Sequence, residues 1–134
     1  MKALVAAVSL LVLPVLSWAG WDTATLQDES TLDFLTVNPQ EGEHWSRVWL
    51  VVIDGQVYIR LGSRAAQRIE ANTSAPFVKV RVAGKEYDRV RAEPAAEQAG
   101  AVARAMGEKY WTDLLIRHFR HPLTMRLIPE GAGQ

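Results

Sequence analysis

The chain has 134 residues, 15 basic and 15 acidic side chains and no cysteine. Balanced charge excludes the broad electrostatic field that would draw nucleic acid or an anionic membrane to it. The missing cysteine excludes disulfide staples, thiolate-held metal and attachment through a lipobox, and the length allows one domain rather than two independent cores.

Residues 1–19, MKALVAAVSLLVLPVLSWA, join one Lys to a long apolar run and end on small residues, the pattern of a Sec-type signal peptide. The run from Ala3 to Leu16 is short for a membrane span, and Ser17 and Ala19 suit a cut before Gly20. This predicts a periplasmic or secreted protein with no stable membrane anchor after cleavage. Residues 20–31 are polar and read as a loose arm or short helix.

From residue 32 to residue 129 the chain reads as the folded domain, followed by a frayed tail over 130–134. LDFLTV is a first strand and NPQEGE a turn. RVWLVVI is nearly continuously apolar, which predicts a central strand covered on both faces. Asp54-Gly55 then forms a two-residue hairpin into the strand QVYIRL. Residues 64–71 favour a short helix, with Ser63 placed to serve as its N-cap and Asn72 and Pro76 to stop it. FVKVRVAGKEYDRVRA is a second hairpin in which Val78, Val80 and Val82 share a face, with Ala-Gly-Lys at the turn. Pro94 suits a helix start. Residues 94–119 carry Ala99, Val102, Met106, Tyr110 and Leu114 at helical spacing, with Gly107 a weak point. LTMRLIPE closes the domain, turning Leu123, Met125 and Leu127 inward. Six strands with one short and one longer helix make an α+β, mainly β domain. In so short a chain they predict a small barrel, because an open sheet would leave exposed edges.

The run of residues 32–94 resembles the split β-barrel flavin-binding superfamily, which includes pyridoxamine-phosphate-oxidase-like and deazaflavin-dependent nitroreductase-like proteins. Within it the chain looks like the DUF2255-type group. The residues that carry the likeness are a first strand ending in Thr36-Val37, a Gly-containing turn, Trp49 beside the apolar run, the Asp-Gly hairpin, and the Tyr58-x-Arg60 strand entering Gly62-Ser63. The resemblance implies a six-stranded split barrel and a homodimer with the cofactor near its interface. It also implies a phosphate-bearing cofactor, FMN or a related flavin, held by Arg60, Ser63, Arg64 and Arg68. Arg47 and Ser46 fall where related proteins contact the flavin.

The residues support an anion site without the family. A Gly-Ser turn opening a helix aims backbone N–H groups outward at the positive end of the helix dipole. Arginine forks add charge-assisted bonds to phosphate oxygens, and Arg64 and Arg68 are four residues apart on one helical face. The competing reading pairs these arginines with Glu70 or with water on a solvated face.

Trp45, Trp49, Tyr58, Trp111 and Phe119 offer surfaces for stacking on a flavin ring, although core packing is the commoner use of Trp49 and Tyr58. Trp45 follows a polar turn and is open to a ligand or a partner subunit. His44, His118 and His121 form no metal-ligand motif, and Pro122 breaks the helix beside the last two; haem is the cofactor they would serve. No Ser-His-Asp arrangement, Walker loop or GxGxxG occurs, which leaves hydrolytic nucleophilic catalysis without support. The reading is an exported cofactor-binding barrel and, if an enzyme, a flavin-dependent oxidoreductase. A non-catalytic binding module that has lost the cofactor is the alternative, with haem binding as the third.

Overall fold

The computed structural model describes residues 20–110 and 123–130. Residues 1–19, 111–122 and 131–134 lie outside these, and with them the expected roles of Trp111, Leu114, His118, Phe119 and His121. Strands β1 (Thr31–Asn38), β2 (Gly42–Ile53), β3 (Gln56–Leu61), β4 (Phe77–Val82), β5 (Lys85–Pro94) and β6 (Leu123–Pro129) are joined by helices α1 (Thr23–Leu26), α2 (Ser63–Ala71) and α3 (Ala99–Lys109). The strands close into an antiparallel barrel in the order β1-β2-β3-β6-β5-β4. None of the described helices is long and apolar enough to cross a membrane.

Two hairpins set the registers. Asp54 and Gly55 sit at φ 50° and 75°, and Ala83 and Gly84 at 54° and 77°, the paired left-handed residues of a two-residue turn whose twist matches the strands. The second turn is therefore Ala83-Gly84 alone, with Lys85 already paired to Val82. Alternation does the rest. Phe34, Leu50, Ile59, Val80, Val90 and Met125, one from each strand, meet inside the barrel and are almost wholly shielded from solvent.

The polar arm is ordered. Asp22 caps α1, accepting hydrogen bonds from the Ala24 amide at 3.0 Å and the Thr25 hydroxyl at 2.8 Å. Leu26 enters the barrel core and Trp21 meets Tyr87 edge to face, ring centres 5.4 Å apart. At the other end of the barrel, Ala65, Ala66 and Ile69 of α2 cover the core.

Strand β2 is covered on both faces, as its apolar run predicts. Leu50 points into the barrel, while Val51 and Tyr58 of β3 pack outside it under Val102 and Met106 of α3. The second helix begins later than Pro94. That residue still pairs with Met125 as the end of β5, a 3-10 turn spans Ala96–Gln98, and α3 proper starts at Ala99. Ladder pairing to β6 outweighs the helix-starting preference of proline at this position. Gly107 does not divide the helix, which runs through it to Lys109.

The end of α3 is tied to β2 by two side chains. Lys109 Nζ donates to the carbonyls of Glu29 (2.6 Å) and Leu50 (3.2 Å). The Tyr110 hydroxyl lies 2.6 Å from the Leu50 carbonyl and 2.8 Å from that of Ser30, and its single proton serves one of them at a time. Burial pushes the Tyr110 phenol up to about 12 and the Lys109 ammonium down.

Leu26 is 1% exposed, so Leu26→Ala is expected to lower unfolding free energy by about 2–4 kcal/mol through lost burial and the cavity left behind, measured by urea denaturation. Tyr110 gives a pH signature. Its folded-state pKa lies above the ordinary value near 10, so its contribution is complete below about pH 10 and is lost as pH rises towards about 12. Urea midpoints followed across that window should fall less steeply in Tyr110→Phe than in the wild type; equal slopes would show that Tyr110 titrates as it does in the unfolded chain.

Candidate functional site

Along β3 the side chains of Val57, Ile59 and Leu61 enter the core, which leaves Tyr58 and Arg60 on the outer surface. A single residue, Gly62, then separates the strand from α2. Ser63 is not the cap predicted from the sequence. Gly62, extended at φ −74° and ψ 178°, occupies the N-cap position, no side chain caps the helix, and Ser63 is its exposed first residue. The strand runs straight to the helix with no spare residue in which a serine might fold back. The first N–H groups of α2 therefore have neither an intrahelical acceptor nor a side-chain cap.

This helix end opens on a cleft of about 600 Å³. Its walls come from β2 (His44 to Trp49), from Arg60, from Ser63, Arg64 and Arg68 of α2, and from Met106 of α3. All six residues singled out by sequence, Trp45, Arg47, Arg60, Ser63, Arg64 and Arg68, line it. Tyr58 does not; it is buried beneath α3 and its hydroxyl accepts a hydrogen bond from Arg126 Nε at 3.3 Å.

The four arginines of the cleft differ in their partners. Arg68 is gripped by Glu41 rather than by Glu70: Nε donates at 3.0 Å to Oε1 and Nη2 at 3.2 Å to Oε2. Arg47 is paired with Asp33, its cross-strand neighbour, through Nε at 2.8 Å and Nη2 at 3.2 Å. Arg60 and Arg64 have no carboxylate partner among the described residues. The competing reading of paired arginines thus holds for Arg68, with Glu41 in place of Glu70 as the partner.

The remaining walls are mostly apolar, with His44 and Ser46 as exceptions. Trp49 stacks at 4.5 Å on Tyr110, and the Arg81 guanidinium lies 3.9 Å from the centre of the Trp45 ring. Ser46 is 7% exposed, and its hydroxyl has no partner among the described residues. His44 lines the same cleft. Glu41 and Met106 are site residues that sequence reasoning missed. Glu41 is 27 positions from Arg68 and carries no local signal, and the helical spacing of Met106 marked it only as packing.

No family model matches the chain, and no curated protein matches it. Solved structures do. HutZ of Vibrio cholerae, described as a haem storage protein, is 18% identical, covers 82% of this chain and 88% of its own, and superposes with a TM-score of 0.61. An F420-H2-dependent reductase, FDR-A, is 14% identical over 74% of this chain and 93% of its own, with a TM-score of 0.54. A domain-swapped dimer is 13% identical over 74% and 79%, with a TM-score of 0.55. The likeness to DUF2255-type proteins gains no support from a family model. What the chain shares with these structures is its fold, a closed antiparallel barrel of six strands.

Proposed function

We propose that the cleft binds a phosphate-bearing cofactor, FMN or a related flavin, and that the protein is an exported, dimeric, flavin-dependent oxidoreductase. The observation that carries this reading is the meeting of Arg60 and Arg64, which have no carboxylate partner among the described residues, with the uncapped N-terminus of α2 in one partly apolar cleft. Cations and N–H groups of this kind favour a phosphate. The cleft volume also falls within the roughly 300–1,000 Å³ usual for small-molecule sites.

The residues fit such a group. Ser63, Arg64 and the first amides of α2 would hold the phosphate, with Arg60 beside them. Trp45, Trp49 and Met106 would exclude water from the ring. A bound flavin supplies the hydride or electron transfer; the protein supplies orientation and electrostatics. The leader-like residues 1–19 support export, and the domain-swapped dimer of the same fold supports self-association. Haem is the second reading, favoured by His44 on the cleft wall and by the haem storage protein among the structural neighbours.

The test is an absorption spectrum from about 300 to 600 nm of the purified protein before and after FMN is added, with Arg64→Ala alongside. Flavin bands should sharpen on binding, and Arg64→Ala should weaken FMN by about 10- to 100-fold, the value of a lost charge-assisted hydrogen bond, while riboflavin affinity changes little. A flat spectrum with no FMN affinity would sink the flavin reading. A Soret band lost in His44→Ala would establish haem instead.

A further inference from the structure

Four guanidinium charges line the cleft, but two of them, on Arg47 and Arg68, are met by Asp33 and Glu41. Arg60 and Arg64, beside the start of α2, have no carboxylate partner among the described residues. This suits a single phosphate monoester, which carries about −1.5 to −2 at neutral pH.

Arg68 lies one helical turn beyond Arg64, where residues four apart are surface neighbours. A second phosphate joined to one held at Arg64 would arrive at Arg68, whose Nε–Nη2 edge is occupied by the Glu41 carboxylate. The obstruction is built into the β1–β2 turn. Asn38, 6% exposed, accepts hydrogen bonds from the backbone amides of Gln40 and Glu41 at 2.9 and 2.8 Å, and its Nδ2 lies 3.4 Å from Glu41 Oε1. Hydrogen bonding to Arg68, foremost, also holds the Glu41 carboxyl below its ordinary pKa, so it stays charged.

We infer that Glu41 is a specificity-determining residue, which neutralises Arg68 and thereby restricts the cleft to ligands ending in one phosphate, against those carrying a pyrophosphate. The inference rests on the cleft being the cofactor site, but it concerns the discrimination between flavin mononucleotide and dinucleotide forms, which cleft volume does not decide. Like charges brought together across a binding surface are a strong source of such rejection.

The experiment is calorimetric titration of the full chain and of Glu41→Gln with inorganic phosphate, pyrophosphate, FMN and FAD. Gln keeps the backbone amide that Asn38 holds, and thermal midpoints check that the turn survives. Glu41→Gln should tighten pyrophosphate and FAD by about tenfold while phosphate and FMN change by less than about threefold. The gain should vanish when Arg68→Gln is added, because Arg68 is what Glu41 withholds. An equal change for all four ligands, or none, overturns the inference. If the inorganic pair shows the selective gain and neither flavin binds, the role of Glu41 stands and the flavin reading falls. If FMN binds and the gap to FAD does not move, the flavin reading stands and Glu41 is not the discriminator. Binding of none of the four ligands to either protein overturns both.

Discussion

The junction between β3 and α2 is one residue long, and the positions of Arg60, Ser63, Arg64 and Arg68 in the cleft follow from it. Leu61 is the last inward-facing side chain of the strand, and Ser63 already belongs to the helix. So short a link holds the helix N-terminus at the barrel rim. Packing then fixes the helix in rotation, since Ala65, Ala66 and Ile69 must face the core. Its far end is tied down by buried Asn72, whose Oδ1 accepts from the Val37 amide at 3.1 Å and whose Nδ2 donates to the Phe77 carbonyl at 2.9 Å. With both ends and one face committed, Arg64 and Arg68 have little freedom in where they sit.

Charge in this protein is local rather than general. Arg126 makes the contrast with the cleft: it reaches Glu93 at 2.9 Å, Glu97 at 2.7 Å and the Tyr58 hydroxyl, so its donors are spent on the outer wall. Hydrogen bonds to Tyr58, Glu97 and Glu93 push its pKa up, as a permanently charged strut requires. Exposed ion pairs contribute little to stability on average. Pairs such as Arg47 with Asp33 are better understood as positioning devices. A cation without such a partner, held beside a helix start, is the exception that points to a ligand.

The strands were legible because inward and outward side chains alternate along most of them and because Asp54-Gly55 states its turn outright, while the second turn was read one residue too long. Arg60, Ser63, Arg64 and Arg68 were legible as a group because they lie within nine residues of one another along the chain, so local geometry keeps them close. Arg47 joined them through the likeness to known barrels, and Trp45 through its place after a polar turn. The order of the arm was not legible, since among polar neighbours only Trp21 and Leu26 anchor it. Nor was the Glu41 pair, which exists only because the β1–β2 turn and α2 meet at the same rim. The two misplaced helix starts have different causes: at Pro94 helix propensity gave way to a strand that continues to pair with β6, whereas α2 starts one residue early because Gly62 takes the cap position directly after β3.

The closing strand has a consequence for how the molecule is made. β6 comes last in the sequence yet sits between β3 and β5, pairing Val57 with Leu127 and Val90 with Pro129. Until residues 123–129 are in place, β3 and β5 each present a row of unpaired backbone groups, and the core lacks Met125 and Leu127. Contacts of such long sequence separation form slowly. A chain cut short before residue 123 would thus carry two adhesive edges, and a second copy of β6 from a neighbouring molecule would fit the gap as well as its own.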